Sequence, residues 1–248
     1  MSRNDMTVYE HIDELRKRLL IVVVFFLFAI IASFFLAEPL IVYLQNADEA
    51  KEITMNAFRL TDPLKIYIQV IIFLSLLMAL PLILFQLWSF VSPGLYEKER
   101  RVTLSYIPVT VILFLGGLAF SYFILFPFVV DFMLNLSVNL EIEQEIGINE
   151  YFQFLFQITI PFGFLFQLPV IMLFLTRLGI ITPMLMSKMR VYAYFGLFVI
   201  AAMITPPDIM SHLLVTLPLF VLYEISLGIC KIGYKKALLA EQKREMEE

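Results

Sequence analysis

The 248-residue chain is 60% hydrophobic, contains 25 Phe and has a mean hydropathy of +0.86. A soluble fold of this size cannot bury so many apolar side chains, so lipid is the solvent this composition requires. The net charge of −4 sets 18 Lys and Arg against 22 Asp and Glu, and no nucleic-acid partner is expected. A single cysteine, Cys230, excludes an intrachain disulfide and supplies no metal cluster.

Six apolar stretches follow one another at 19–36, 64–88, 104–130, 151–176, 191–204 and 209–229. They predict an all-α integral membrane protein with six transmembrane helices, organised as one membrane domain over 1–248. Residues 230–248 are expected to form a polar cytoplasmic tail. Four of the stretches reach the roughly 20 residues that cross ~30 Å of hydrocarbon as helix. The first is marginal and the fifth is short, which requires local thinning of the bilayer or a flank covered by protein.

The chain opens with a polar segment, His11-Ile12-Asp13-Glu14-Leu15-Arg16-Lys17-Arg18-Leu19-Leu20, in which Ile12, Leu15 and Leu19 fall at helical spacing. This segment is expected on the membrane interface or leading into the first span, with Glu14 toward water. The basic run before Leu19 resembles the start of a secretory signal. However, the apolar run that follows is longer than a usual signal core, and Phe34-Phe35-Leu36 offers no small-x-small cleavage site. The first helix is therefore expected to remain as an anchor.

Asp62-Pro63, Ser92-Pro93 and Thr182-Pro183 each join a capping oxygen to a proline whose missing N–H is harmless in a first turn. They predict helix starts in polar loops. By this reading the fifth helix runs from Pro183 to about Ile204 and enters lipid after Arg190. Thr205-Pro206-Pro207-Asp208 then turns the chain into the sixth, giving an antiparallel hairpin. Pro81, Pro108, Pro127, Pro161, Pro169 and Pro218 lie in or at the edges of spans, and each is expected to bend or interrupt its helix. The bundle should be kinked.

Orientation follows from the cations. Fifteen of them occupy segments on the N-terminal side: Arg3, Arg16, Lys17, Arg18, Lys98, Arg100, Arg101, Arg177, Lys188, Arg190, Lys231, Lys235, Lys236, Lys243 and Arg244. Only Lys51, Arg59 and Lys65 lie opposite. The positive-inside rule then puts both termini in the cytoplasm of a multi-pass protein of the cell membrane.

Polar residues within the spans are few: Gln69, Gln86, Gln153, Gln157, Gln167 and Glu224. None forms an ion path, which weakens the alternative of a small-solute secondary transporter. Glu224, six residues before Cys230, is expected to reach toward the cytoplasmic interface. Gln167 lies deep, two residues before Pro169, and is expected to bond to exposed backbone or to a polar guest. Catalysis is not expected. The histidines, His11 and His212, lie on opposite sides, and no G-x-S-x-G, H-E-x-x-H, P-loop or G-x-G-x-x-G is present. Ser211 directly precedes His212, a spacing that suits a helix start better than a nucleophile–base pair. No cofactor is expected.

What remains distinctive is carboxylates embedded among cytoplasmic cations, in the first segment and in Ser92-Pro93-Gly94-Leu95-Tyr96-Glu97-Lys98-Glu99-Arg100-Arg101. Glu14 can pair with Arg18 one turn on, and Glu97 with Arg101, for a few tenths of a kcal/mol each. The same carboxylates can instead form a binding surface.

These segments resemble the TatC component of the twin-arginine protein translocase, particularly its forms in Gram-positive bacteria. The resemblance extends to Phe85-Gln86-Leu87-Trp88-Ser89-Phe90-Val91, Pro39, Phe126-Pro127, Thr205-Pro206-Pro207-Asp208 and Leu222-Tyr223-Glu224-Ile225, and covers nearly the whole chain. It implies a noncatalytic membrane receptor that recognises folded cargo by a signal peptide with consecutive arginines. Matching signal-site residues are Glu14, Arg16, Phe90 and Glu99, and Pro39 and Asp208 match positions important on the outer side. Implied partners are TatA-type single-span subunits, TatB-type subunits where present, the bilayer and further copies in a self-associated complex, with the proton-motive force as energy source. At Gln167 many relatives carry a glutamate, so an acidic role there is not carried over. A guanidinium offers a planar fork that holds a carboxylate through two parallel bonds, which lysine cannot reproduce. Glu14 and Glu99 on separate segments would thus suit two adjacent arginines.

Overall fold

The computed structural model describes residues 8–47, 55–91, 104–142, 145–177, 179–205 and 208–247. Nearly all of them are helical. Helix α1 runs Val8–Gln45, α2 Asp62–Val91, α3 Tyr106–Phe120, α4 Phe126–Asn139 and α5 Ile148–Leu165. They are followed by α6 Leu168–Arg177, α7 Pro183–Lys188, α8 Arg190–Ile204 and α9 Ile209–Glu247. Five continuous or nearly continuous helical stretches are long and apolar enough to cross a membrane: Tyr9–Gln45, Asp62–Phe90, Tyr106–Asn139, Ile148–Arg177 and Ile209–Lys235. The sixth apolar helix, Arg190–Ile204, is shorter. Its 15 residues reach only about 22 Å at 1.5 Å per residue, the shortfall expected from its sequence.

The chain divides into two compact units, Met1–Val111 with Glu145–Tyr151, and Ile112–Gln144 with Phe152–Glu248. In the first unit, α1 and α2 form an antiparallel pair. Tyr67 donates its hydroxyl to the Phe34 carbonyl at 2.7 Å, and Ser33 Oγ lies 3.8 Å from Met78 Sδ. Pro39 sits within α1, exposed, and leaves the Phe35 carbonyl without its usual helical donor. Strands β1 (Met55–Asn56) and β2 (Ile146–Gly147) pair in parallel, Met55 with Ile146 and Asn56 with Gly147. A Cβ at Gly147 would meet the Glu150 carboxylate and lie 2.8 Å from the Phe58 ring, so a larger residue there requires both side chains to shift. The sequence reading contained no strands.

In the second unit the turn Ser121–Leu125 between α3 and α4 is a π-helix, with the Phe126 N–H reaching the Ser121 carbonyl five residues back. Pro127, which has no N–H to continue the ladder, follows directly, a usual cause of such a bulge. At Pro169 the expected interruption also occurs: α5 ends at Leu165, Phe166 and Gln167 form a turn, and α6 resumes at Leu168. Pro39, Pro81, Pro161 and Pro218 are accommodated inside their helices. Gly117 and Gly163 mark a close helix crossing. A Cβ at Gly117 would lie 2.7 Å from the Phe162 carbonyl oxygen, and one at Gly163 would lie 2.9 Å from the Phe114 ring. Small residues at such crossings let backbones approach.

Two local expectations need adjustment. Thr182 does cap α7, accepting from the Leu185 N–H at 3.2 Å, whereas Asp62 is already inside α2. Its carboxylate instead accepts from the upstream Arg59 N–H at 2.8 Å, because the Thr61 carbonyl takes the first helical bond, from Lys65. Ser92-Pro93 lies outside the described residues. The helix expected from Pro183 to Ile204 bends at Met189 (φ −89°, ψ 8°) into α7 and α8. The ladder continues through that bend, Met189 donating to Leu185 and Ala193 to Met189. The polar residues after 229 continue α9 to Glu247. Cys230 is fully buried, with its sulfur 2.8 Å from the Thr176 hydroxyl, the environment of a packing residue rather than of an acylated one.

Candidate functional site

His11, Glu14 and Arg18 fall at i, i+3 and i+7, which places them on one face of α1. That face meets the end of α2. Arg18 donates from Nε to Glu14 Oε1 at 3.0 Å, and its Nη2 makes a second, closer contact with the same oxygen. The remaining branch, Nη1, donates to the Gln86 side-chain oxygen at 3.2 Å and so joins two elements 68 residues apart in sequence. One turn beyond Gln86, the Phe90 ring stacks on His11 with centroids 4.2 Å apart at 26°. The Arg18 and Glu14 side chains retain 21% and 20% of their exposure. They are sheltered enough for charge-assisted bonds to outweigh the few tenths of a kcal/mol of an exposed helical pair. Glu14 Oε2 is buried and has no hydrogen-bond partner among the described residues.

The contrast with the neighbouring face of the same turns is instructive. Lys17 and Asp13 also pair at i, i+4, 2.8 Å apart, but keep 72% and 55% of their exposure, so that contact is a solvated surface pair. Arg16 is exposed on α1. The structure thus brings Glu14 and Phe90 to one end of the α1–α2 pair and leaves Arg16 facing outward. Glu99 lies outside the described residues, with Glu97 and Arg101. Sequence reasoning placed neither His11 nor Gln86 in the site. The Glu14–Arg18 spacing was legible on the α1 side, but the α2 side depends on helix rotation and register.

The other singled-out residues lie elsewhere. Asp208 caps α9, accepting from the Ser211 N–H at 2.7 Å, which makes Ser211-His212 the first turn of a helix. His212 lies edge-on to Phe198, centroids 4.2 Å apart. Gln167 is buried and turns back on its own helix, donating to the Gly163 carbonyl at 3.3 Å. Gln157 donates to the Ile204 carbonyl at 3.0 Å, closing the C-terminal end of α8. Glu224 accepts from Tyr194 at 2.5 Å and from Arg190 Nη2 at 3.2 Å. Arg190 Nε lies 3.0 Å from its other oxygen without the alignment of a hydrogen bond, so that contact is ionic. The neighbouring Tyr223 donates to the Met186 carbonyl at 2.9 Å. Together these contacts tie α7, α8 and α9.

Comparison with known proteins agrees with this architecture. Residues 10–218 match the family described as Sec-independent protein translocase protein (TatC). The chain is 63% identical over 237 residues to Sec-independent protein translocase protein TatCy of Bacillus subtilis (strain 168), covering 96% of this chain and 93% of the relative. It is 53% identical over 247 residues to the TatC protein of Halalkalibacterium halodurans, covering 100% and 98%. Among solved structures, a crystal structure of the twin arginine translocase receptor TatC superposes with a TM-score of 0.79 at 32% identity, over 90% of this chain and 99% of that one. These matches span the α1–α2 site as well as α3 to α8, and the chain belongs to the TatC family of Sec-independent protein translocases.

Proposed function

We propose that this chain is the receptor subunit that captures twin-arginine signal peptides of folded cargo at the cytoplasmic end of the α1–α2 pair. The observation that carries this reading is the state of Glu14. It is a sheltered carboxylate with one oxygen held by Arg18 and the other buried without a partner among the described residues. An unmet buried acceptor costs about 1–3 kcal/mol, and more when charged. A guest guanidinium removes that cost. Phe90, stacked on His11 beside it, supplies an aromatic face for the guest's flanking residues. Glu99 is the second proposed carboxylate and Arg16 a further recognition residue, both by family resemblance.

Both termini lie in the cytoplasm on this reading, as the cation distribution supports. Residues 1–248 form a single membrane domain, and the polar end of α9 lies inside the cell. TatA-type single-span subunits, with TatB-type subunits where present, dock on its membrane faces, and copies of the chain associate in the complex. Pro39 and Asp208 act on the outer side. Family membership favours protein translocation over small-solute transport.

The test is signal-peptide binding to the full chain in lipid nanodiscs. Glu14→Ala should weaken binding by roughly 1.5–3 kcal/mol, the contribution of a sheltered charge-assisted bond. Replacing the two arginines of the peptide by lysines should weaken binding to wild type, yet do little further harm with Glu14→Ala/Glu99→Ala. Should the lysine peptide lose as much additional affinity with the double variant as with wild type, other residues read the arginines.

A further inference from the structure

The Glu14 carboxylate is already occupied by an arginine of its own chain. Both donor contacts from Arg18, Nε at 3.0 Å and the closer Nη2, fall on Oε1. Oε2 is left without a partner among the described residues. Oε1 has only two lone pairs, and Arg18 takes both. A guest guanidinium that is to hold the carboxylate through two parallel bonds needs Oε1 as well as Oε2. It can have them only if Arg18 lets go.

The second contact of Arg18 shows where it would go. Nη1 donates to Gln86 on α2 at 3.2 Å. That acceptor belongs to a different element and is not consumed when Glu14 changes partner. Gln86 is neutral, so it can hold a guanidinium without competing with Glu14 for the guest's charge. Gln86 lies inside the apolar helix Asp62–Val91, and its side-chain bond among the described residues is this one to Arg18.

We infer that Arg18 is an internal stand-in for the signal arginine, and that its transfer from Glu14 to Gln86 sets the affinity and the arginine-over-lysine selectivity of the site. This rests on the proposal that Glu14 reads the signal. With Arg18 on Glu14 the site is neutralised, and random cytoplasmic cations gain little from it. A lysine, being a point donor, binds Oε2 alone and gains nothing from the release of Oε1. An arginine gains the second bond, but only against the pair it must break. The stand-in therefore lowers absolute affinity for every cation.

Single and double variants of the full chain in nanodiscs test this with synthetic peptides bearing Arg-Arg or Lys-Lys. Arg18→Gln should tighten Arg-Arg binding about tenfold, equivalent to one charge-assisted pair no longer broken, and should tighten Lys-Lys binding less. Gln86→Leu should act in the opposite direction, weakening Arg-Arg binding several-fold, because Arg18 loses its alternative acceptor. In the Arg18→Gln background Gln86→Leu should have no further effect. Arg18→Lys should fall between wild type and Arg18→Gln. A residue that merely supported the fold would weaken binding in every case, so opposite signs at 18 and 86 distinguish the two roles. Weaker Arg-Arg binding with Arg18→Gln, in a sample whose unfolding midpoint matches wild type, overturns the inference. If Arg18→Gln does not fold, Gln86→Leu and Arg18→Lys decide: unchanged or tightened binding with Gln86→Leu overturns it equally. Glu14→Gln separates the two levels of the argument. No effect there removes Glu14 from the site altogether, whereas a loss there without opposite signs at 18 and 86 leaves the receptor site and removes only the stand-in.

Discussion

Adjacent glycines on α3 should respond in opposite ways to the same added methyl group. A Cβ at Gly117 would fall 2.7 Å from the Phe162 carbonyl oxygen and 2.9 Å from both Cβ and Cγ of Phe166, whereas at Gly116 nothing lies within 4 Å. The Phe162 oxygen is backbone in the last turn of α5, held by the Phe166 N–H, and cannot rotate away, so Gly117→Ala must push two helices apart. Overpacking of this kind costs about 1–3 kcal/mol, and in a chain of this size each kcal/mol corresponds to roughly 2–4 °C in unfolding midpoint. Gly116→Ala should be neutral or slightly stabilising, since Ala exceeds Gly in helix propensity by up to ~1 kcal/mol. Cys230 supplies the assay: it is the only cysteine and is fully buried, so a thiol-reactive fluorophore reports unfolding as its labelling temperature. Equal shifts from the two substitutions would refute the crossing at Gly117 and the packing of α3 on α5.

Asp208→Ala removes the acceptor of the Ser211 N–H and should cost about 0.5–2 kcal/mol. Asp208→Asn keeps an acceptor oxygen and should restore stability, so an export defect that persists with Asn would show that the outer role of Asp208 needs its charge. Glu224→Gln should cost only ~0.2–1 kcal/mol, because both Arg190 and Glu224 keep 41% of their exposure and solvent screens the pair. Glu224→Leu should cost more, since it also strands the Tyr194 hydroxyl; equal midpoints for the two variants would contradict this. With Cys230→Ser, single cysteines at Asp48 and Asn139 should be labelled from outside intact cells, while those at Lys98, Lys188 and Lys235 should require permeabilisation. Labelling at 98 in intact cells would reverse the orientation.

What was legible in the sequence was what is local. The apolar runs, the Thr182 cap, the interruptions before Pro127 and Pro169, and the Glu14–Arg18 pair all depend on residues within about five positions of one another, where helix geometry fixes the outcome. The cap at Asp62 missed by one residue: the Thr61 carbonyl accepts the first helical bond, so Asp62 is already in the first turn. The contacts that were not legible join distant segments: Arg18 to Gln86, Gln157 to Ile204, and Asn56 to Gly147. Each requires the rotation and register of two elements, which periodicity alone does not give when a helix is apolar on nearly every side. Gln86 and Gln157 stood out as polar residues in apolar spans, but that signal says only that a partner exists.

The position of the site along α1 gives a physical reason for its chemistry. The helix has 38 residues, about 57 Å at 1.5 Å per residue, nearly twice the ~30 Å of a hydrocarbon core. Its apolar run starts at Leu19, so Arg18 sits at the edge of the hydrocarbon and Glu14 about 6 Å farther out. The interfacial layer on each side of the core is roughly 5–8 Å thick. Glu14 therefore lies within that layer on the proposed orientation, where a guanidinium gains more from pairing with a carboxylate than it would in bulk water. Deeper along α1 the desolvation penalty would exceed the gain, and farther out the pair would be fully solvated and worth about 0.2–1 kcal/mol. A signal peptide whose arginines precede its apolar stretch can then place the arginines at the level of Glu14 while its apolar residues enter lipid at the level of Leu19, so one depth satisfies both ends of the ligand.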